Sequence, residues 1–306
     1  MILRKRLNSL LLSWKTAGGF RQTIVEIVSR GSRNAMVVIG ASIIITMIAL
    51  AVLAPVLPMA DPTPSAAELK VEDKLLPPSS NHWFGTDNLG QDVFSRAIWG
   101  TRVSLMVASL AIFFSLLLGV VLGLTAGYFG GAVDYIIAGT IDLFWTFPAF
   151  LLALAFAAAL GSSLTNVILA ISISYWAGFG RLMRGQALSI RERPFVEASR
   201  ALGARNLRIM FTHVLPNCIA PLTVWASIGV ADAITIESTL SFLGAGTPPS
   251  TPSWGNMLNL GMPFIGEAWW IATFPGIVLL ITVLGFNLLG DGLRDVLDPR
   301  MKGMRR

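Results

Sequence analysis

Residues 103–127 read VSLMVASLAIFFSLLLGVVLGLTAG and contain no charged side chain. A helix needs about 20 apolar residues to cross the ~30 Å hydrocarbon core of a bilayer. The whole chain of 306 residues is 54% hydrophobic and only 13% charged, whereas a soluble domain is about one quarter charged. Because a charge at the bilayer centre costs at least ~2.5 kcal/mol, this composition predicts an all-α polytopic membrane protein.

Six apolar stretches reach the length of a membrane-spanning helix. We place them at 36–57, 103–127, 135–160, 164–184, 217–245 and 270–290. An even number of spans puts both termini on the same side of the membrane. Nineteen of the 23 Lys and Arg residues lie in 1–35, 181–216 and 294–306. Cytoplasmic loops carry the excess of Lys and Arg, so both termini are predicted to be cytoplasmic, and the net charge of +6 needs no nucleic-acid partner.

The segments around these spans complete the predicted organisation. It begins with a cytoplasmic leader at 1–35, the first span at 36–57, and an external loop with a helix leading into the second span at 58–102. A transmembrane core at 103–290 contains the cytoplasmic loop 185–216, and a basic cytoplasmic tail follows at 291–306. Within the second span, Gly119, Gly123 and Gly127 recur at every fourth position. Small residues at this spacing predict a close approach of a second helix.

The loop between the fourth and fifth spans contains a regular polar cassette, EASRALGARNLRIMFTHVLPN at 197–217. Pro194 suits the first turn of a helix, where its missing N–H costs nothing. Gly203 stands where a helix would end in the left-handed conformation. A second helix would then run to Pro216, which we expect to stop it. The pattern predicts two short helices joined at a glycine.

Each of these helices carries an apolar stripe at helical spacing. The stripes are Phe195, Ala198 and Leu202 in the first helix, and Leu207, Met210, Phe211 and Val214 in the second. We expect a stripe to pack on the inner ends of the spans and the turn to face outward. Glu197 lies in a first helical turn, where the helix dipole favours an acid, and is expected to orient the helix among Arg191, Arg193 and Arg200.

The cassette resembles the EAA loop of ABC-transporter permeases, whose pattern is E-A-A, three residues, G, nine residues and I-x-L-P. Residues Glu197, Ala198, Gly203, Leu215 and Pro216 fall in register, while Ser199 and His213 depart from the pattern. Three further segments resemble the peptide and nickel branch of that family: HWFGTDNLGQDVFSR at 82–96, with Gln91 in place of the usual arginine, ESTLSFLGAGTPPSTPSWG at 237–255, and FNLLGDGLRDVLDPR at 286–300. The resemblance therefore runs from the first span to residue 300.

This resemblance implies the inner-membrane permease subunit of a binding-protein-dependent ABC importer, of the oligopeptide and dipeptide permease C type, with the type I-like permease fold. The implied cargo is a small polar solute such as a di- or oligopeptide, a nickel chelate or another small amide. The implied partners are a second, homologous permease subunit forming a heterodimer, two cytoplasmic ATPase subunits that bind ATP and Mg, and an extracytoplasmic solute-binding protein in a bacterial inner membrane. In the family the EAA loop docks on the ATPase, which assigns coupling to Glu197, Ala198, Ser199, Gly203, Leu215 and Pro216.

Residue patterns for catalysis are missing from the sequence. There is no G-x-x-x-x-G-K-[ST] segment, so ATP hydrolysis is expected on a partner. The only histidines are His82 and His213, and H-E-x-x-H does not occur, which disfavours a zinc protease. Cys218 is the single cysteine, which excludes an intrachain disulfide and a cysteine metal cluster. We expect no catalytic residue, no metal site and no cofactor on this chain.

Three acidic residues lie in or near the predicted spans, namely Asp142, Asp232 and Glu237. Because lipid exposure of a carboxylate is costly, each is expected either to line a polar pathway or to be paired within the helix packing. They also support an alternative function, a secondary transporter driven by an ion gradient. An inverted repeat and helices broken at mid-depth would favour that alternative, and Pro148 is a candidate for a kink in the third span.

Tryptophans mark the second predicted external segment, 246–269. Trp254 and Trp269 are expected to belong to an interfacial belt. Packing over the mouth of a pathway is the other interpretation of these two side chains.

Overall fold

The structure, a computed structural model, describes residues 31–57, 59–62 and 71–297. Its helices are α1 (Ala35–Leu53), α2 (Val93–Phe129), α3 (Gly131–Thr146), α4 (Ala149–Leu160), α5 (Leu164–Arg191), α6 (Pro194–Ala201), α7 (Asn206–Ile209), α8 (Leu215–Phe242), α9 (Trp254–Gly261) and α10 (Trp270–Leu297). A π-helical turn, Met210–Val214, joins α7 to α8, and short 3-10 turns cover Val71–Asp73 and Met262–Phe264. In this part of the chain the regular structure is helical, which confirms the predicted all-α class.

Four helices are long and apolar enough to cross a membrane among the described residues: α1, α2, α10 and the continuous helix Asn206–Phe242 formed by α7, the π-turn and α8. The bent pair α3–α4 provides a fifth candidate. Helix α5 has 28 residues, which is about 42 Å of helix, but Arg181 and Arg184 make it less apolar. The count of six spans therefore stays a prediction. The leader and tail lie largely outside the described residues.

Three predicted boundaries fall inside helices. The helix leading into the second span and the span itself form one 37-residue helix, α2. It begins after Asp92, whose Oδ2 accepts a hydrogen bond from the backbone N–H of Ser95 at 2.8 Å, and no proline interrupts it. In the same way α5 continues past 184 to Arg191, and α10 continues past 290 to Leu297.

The predicted third span, 135–160, is not a single helix. Helices α3 and α4 meet at an angle of 87°. Phe147 between them has an extended backbone with φ −94° and ψ 139°. A residue that precedes a proline is disfavoured in the helical conformation, so Pro148 explains why the helix breaks here rather than only kinking.

Helices α2 and α5 approach each other at the distance of backbone contact. A Cβ atom at Gly119 would lie 2.6 Å from the carbonyl oxygen of Trp176, and one at Gly127 would lie 2.6 Å from that of Arg184. At Gly123 a Cβ would meet the Cβ of Met183 at 2.9 Å. These distances leave no room for a side chain at the three positions. The glycine repeat therefore forms a groove on α2 in which α5 lies. The prediction of close helix packing is confirmed.

Ion pairs fix the next helix along the chain to this pair. Arg184 of α5 donates two hydrogen bonds to the Asp134 carboxylate of α3, at 2.5 and 2.8 Å. This fork geometry aligns two N–H groups with two oxygens and therefore sets the orientation of α3 as well as its position.

Trp254 is not part of an interfacial belt. Its side chain is fully buried, and its Nε1 donates a hydrogen bond to the carbonyl oxygen of Ala97 at 3.1 Å. The space comes from Gly100 of α2, where an added Cβ would lie 3.0 Å from the indole Cδ1. The belt interpretation is wrong for this residue because α9 folds back over the first turns of α2. Trp269, in contrast, is 50% exposed.

The contact between α2 and α5 predicts the effect of filling the groove. Gly123→Leu should prevent native packing, because overpacking of this kind costs about 1–3 kcal/mol even where neighbours can move and here the neighbours are backbone atoms. The matched control is Gly185→Ala on α5, where a Cβ meets nothing within 4 Å. Size-exclusion profiles and thermal unfolding midpoints in detergent are the readout. Wild-type behaviour of Gly123→Leu would contradict this packing.

Candidate functional site

A helical hairpin, residues 194–214, projects from one end of the bundle. Its first helix ends in a Schellman turn, in which the N–H of Gly203 donates to the carbonyl of Arg200 at 2.9 Å and the N–H of Ala204 donates to that of Ser199 at 3.1 Å. Gly203 has φ +80°, as predicted, and a Cβ there would meet nothing within 4 Å. The tip of the hairpin is therefore an open turn that needs glycine for its backbone conformation.

The second helix of the hairpin does not stop at Pro216. The π-turn Met210–Val214 precedes it, and the N–H of Leu215 donates to the carbonyl of Met210, five residues back. Pro216 then occupies the first turn of α8, a position that suits proline because its fixed φ is already helical. The prediction that Leu215 and Pro216 end the helix is wrong. The hairpin is instead continuous with α8, through a π-turn of the kind that is frequent at functional sites.

The base of the hairpin is packed into the main core through Val196, Ile209, Met210 and Val214. Polar contacts add to this packing. The Tyr128 hydroxyl at the end of α2 donates to Asn206 Oδ1 at 3.0 Å, and Arg191 at the end of α5 donates to the Gly127 carbonyl at 3.1 Å. The first bond attaches the hairpin to α2, and the second joins the end of α5, from which the hairpin follows, to α2 as well.

Between the two arms of the hairpin, Ser199 Oγ lies 3.3 Å from His213 Nε2. The Ser199 hydroxyl also lies 2.8 Å from the Phe195 carbonyl oxygen in its own helix. Both residues that depart from the EAA pattern therefore meet in one contact, which holds the arms together.

Most of the predicted apolar stripes face away from the spans. Leu202 is 88% exposed and Leu207 is 65% exposed, and Phe195 and Phe211 are exposed as well. We call these four side chains the apolar tip set. The prediction that these stripes pack on the bundle is wrong for these four positions. Helical spacing defines a face but does not show which way that face points. In the first helix the direction is set by Val196, the next residue after Phe195, which enters the core.

Glu197 and Ala198 are also exposed. Within the described residues Glu197 forms no ion pair, whereas Arg191 reaches Glu192 at 3.9 Å and Arg200 lies over the Tyr128 ring at 5.9 Å. The expected orienting role of Glu197 is therefore not seen in the chain itself. Its carboxylate lies at the exposed surface of the hairpin.

The three acidic residues of the spans occupy three different surroundings. Asp142 of α3 is exposed, and its Oδ1 lies 2.5 Å from Nη2 of Arg181 on α5. The Arg181 guanidinium also lies over the Trp145 ring, 4.7 Å from the ring centroid. An exposed ion pair is worth only ~0–1 kcal/mol. The Asp142–Arg181 pair is thus a second contact between α3 and α5, in addition to the Asp134–Arg184 pair.

Glu237 of α8 is fully buried at the end of the bundle opposite the hairpin. Its carboxyl group accepts hydrogen bonds from Ser104 of α2 and Ser241 of α8, each at 2.9 Å, and from Ser238 at 3.4 Å. Ser241 continues the network to Thr247 at 3.2 Å, in the segment that leads to α9. Glu237 thus joins α2 and α8 to this connecting segment.

Asp232 lies one and a half turns before Glu237 on α8 but is exposed. It lines a cavity of about 410 Å³ together with aromatic residues of α3, α5 and α8. The Tyr175 hydroxyl of α5 lies beside its carboxylate. Asp142 borders a second cavity of about 660 Å³, formed by residues of α3 and Arg184, whereas Asp232 faces the cavity that lies between α3, α5 and α8.

Ser104 and Tyr175, the partners of these acids, were not singled out by sequence reasoning. Ser104 is one of several hydroxyl residues in α2, so the sequence does not distinguish it from the others. Tyr175 had a usable signal: it lies 11 residues after the start of α5 and Asp232 lies 10 residues before the end of α8. The two helices are antiparallel neighbours, so these similar distances from adjoining helix ends indicate a similar depth.

The segment 82–96 forms a second polar cluster, at the same end as Glu237. Asp87 accepts hydrogen bonds from the backbone N–H groups of Leu89 and Gln91 at 2.8 and 2.9 Å, and Arg96 is hydrogen-bonded to Gln91 Oε1. Burial raises the pKa of the Asp87 carboxyl, and the hydrogen bond from Gln91 and the charge of Arg96 oppose that shift. This cluster holds the start of α2 in place, which gives Gln91 a structural partner.

Comparison with known proteins supplies the family context. Residues 119–303, more than half of the chain, match the family described as binding-protein-dependent transport system inner membrane component. The dipeptide transport system permease protein DppC of Alkalihalophilus pseudofirmus is 44% identical over 270 residues, 88% of this chain and 88% of the relative. The oligopeptide transport system permease protein OppC of Bacillus subtilis is 38% identical over 269 residues, 88% of this chain and 87% of the relative.

A solved structure matches the fold. It is an inward facing conformation of the MetNI methionine ABC transporter, with a TM-score of 0.53 and 20% sequence identity over 66% of this chain and 97% of the matched chain. At this identity the match concerns the arrangement of helices only, and it agrees with the predicted importer fold.

The Glu237 network predicts a large loss of stability on removal of the carboxyl group. Glu237→Ala leaves the Ser104 and Ser241 hydroxyls without their acceptor, at ~1–3 kcal/mol for each buried group. We expect the unfolding midpoint in detergent to fall by about 5 °C or more. The control is Thr239→Ala, whose hydroxyl bonds only to the Thr235 carbonyl of its own helix. Equal midpoints for the two variants would show that the network contributes nothing.

Proposed function

The chain belongs to the family of binding-protein-dependent transport system inner membrane components, and from this premise we propose that it forms half of the translocation pore of an ATP-driven peptide importer. As a member of that family it is a multi-pass protein of the inner membrane and a permease component of an ABC importer. The names of relatives at 38–44% identity support di- and oligopeptides as the cargo.

Coupling to ATP hydrolysis is assigned to the hairpin 194–214. The observation that carries this assignment is the apolar tip set, with Leu202 88% exposed beside an open glycine turn. Large apolar side chains clustered at a helix tip are typical of a protein interface. The free Glu197 carboxylate and the arginines of the hairpin supply a polar rim around them. The fitting partner is the cytoplasmic ATPase subunit that binds ATP and Mg.

The hairpin is suited to transmit force because no loop separates its second arm from α8. Its second arm continues through the π-turn into α8 as the single helix Asn206–Phe242. Its base is fastened to α2 by Tyr128 and to α5 through buried contacts such as Val196. A movement of the tip therefore moves α8 as a lever. On this proposal Glu197, Ala198, Ser199 and Gly203 form or shape the docking tip, and Leu215 and Pro216 lie at the junction with the lever.

The other partners that we propose follow from the proposal that this chain forms half of the translocation pore. A second, homologous permease completes the pathway, two ATPase subunits receive the two hairpins, and an extracytoplasmic binding protein delivers the peptide at the opposite end. That placement makes the hairpin end cytoplasmic, in agreement with the arginines at 181–216. No step of covalent chemistry is assigned to this chain.

One observation favours the alternative of an ion-driven secondary transporter, namely the 87° break at Phe147–Pro148. Broken helices at mid-depth are common in such transporters. The break alone needs no ion coupling, because Pro148 and the extended Phe147 explain it locally. Family membership supports the ATP-driven class.

The docking proposal predicts uncoupling by a charge at the hairpin tip. Leu202→Glu should abolish most ATP-dependent peptide uptake in proteoliposomes that contain the complete assembly, while insertion and folding stay normal, since Leu202 packs on little within its own chain. Gly203→Glu should uncouple in the same way. The control is Leu202→Met, which keeps an apolar side chain of similar volume. Full uptake by Leu202→Glu would remove the coupling role from the hairpin.

A further inference from the structure

The cavity at Asp232 is built from three parts of the fold. The break between α3 and α4 contributes Phe147 and Pro148, α5 contributes Tyr175, and α8 contributes Trp225 and Asp232. Its volume of about 410 Å³ lies within the usual range of ~300–1,000 Å³ for small-molecule sites. The break places Phe147 and Pro148 in the lining of the cavity. An unbroken span would cover this side.

Five of the thirteen residues that line it are aromatic. Trp145 of α3 and Trp225 of α8 meet above Gly178 of α5, where an added Cβ would lie 3.2 Å from Trp145 and 3.6 Å from Trp225. Both indoles are more than two-fifths exposed. The missing side chain at Gly178 thus lets two large rings approach each other and still face open space.

The single acid in the lining has no counter-charge. Within the described residues no basic side chain forms an ion pair with Asp232, and the nearby Arg181 is held by Asp142 and Trp145 instead. Asp232 lies 10 residues from the end of α8, which is about 15 Å along the helix and therefore well inside a membrane. A carboxylate exposed to lipid at such a depth is costly, so this face borders the pathway.

An unpaired carboxylate surrounded by electron-rich ring faces is complementary to one kind of chemical group. An ammonium group gains from the carboxylate through charge-assisted hydrogen bonds and from Trp and Tyr through cation–π attraction. An anion is repelled by Asp232, and a purely apolar ligand would leave the carboxylate unsatisfied. The chemistry of the lining therefore selects a cation that carries N–H groups.

We propose that this cavity is the subsite that binds the amino-terminal ammonium group of a peptide in transit, with Asp232 as the counter-charge, Tyr175 positioning the carboxylate and Trp225 covering the ammonium. This inference rests on the proposed peptide transport and names the part of the peptide that the permease itself recognises. The site provides one favourable position within the pore for the end that every linear peptide shares. It therefore works for peptides of different sequence and length.

The test uses the complete assembly in proteoliposomes, with its second permease, ATPase subunits and binding protein, and radiolabelled di-, tri- and pentaalanine as probes. Asp232→Asn removes the charge at nearly constant shape. We expect peptide uptake to fall about tenfold or more, with ATP hydrolysis stimulated by the peptide-loaded binding protein still near the wild-type level. Asp232→Glu keeps the charge and should recover at least about half of the uptake. The matched control is Glu267→Gln, which removes an exposed carboxylate outside the cavity.

Three results would overturn the inference. These are wild-type uptake by Asp232→Asn, equal impairment of Asp232→Asn and Asp232→Glu, and failure of Asp232→Asn to assemble with the second permease, which would assign the acid to the subunit interface. Trp225→Leu provides a second variant and should lower uptake about threefold or more through loss of the ring face. Absence of peptide uptake by the wild-type assembly is a separate result and would refute the proposed function itself.

Discussion

Backbone contact between α2 and α5 is the constraint on which the other features depend. With no side chain at Gly119, Gly123 and Gly127, the two helices touch along three consecutive turns. The association of helices in lipid gains little from the hydrophobic effect and relies on close packing. At one end of this pair Tyr128 bonds to Asn206 of the hairpin, and Arg191 bonds α5 to the Gly127 carbonyl of α2. A shift between the two helices would therefore displace the hairpin and the cavity wall together.

The helix Asn206–Phe242 connects the functional parts of the chain. It starts in the hairpin, passes Trp225 and Asp232 in the cavity, and reaches Glu237 near its far end. The π-turn, Pro216 and Pro221 are the irregular positions of this helix. Motion of the hairpin tip therefore has a direct route to the cavity. The Glu237 network anchors the far end to α2, so it provides a point about which such a motion can turn.

Sequence reasoning succeeded where a local pattern has one physical outcome. The glycine repeat predicted a close helix contact, Gly203 predicted a left-handed turn, and the long apolar runs predicted membrane spans. It failed where the outcome depends on tertiary contacts. Nothing in the spacing of Phe195 and Leu202 indicates which face meets the core. The stop expected at Pro216 did not occur because a π-turn joins the hairpin to α8. The break at Pro148 follows from the local preference of the residue before a proline, although the sequence pattern predicted only a kink there.

The most direct test of the account is the location of residue 202 in the working assembly. Cys218 is the only native cysteine and is buried, so Leu202→Cys offers a single reactive thiol for a short photoactivated cross-linker. The account predicts that illumination in proteoliposomes joins position 202 to an ATPase subunit, and that the yield changes when ATP is bound. Labelling of lipid alone, with no ATPase adduct in any nucleotide state, would contradict it.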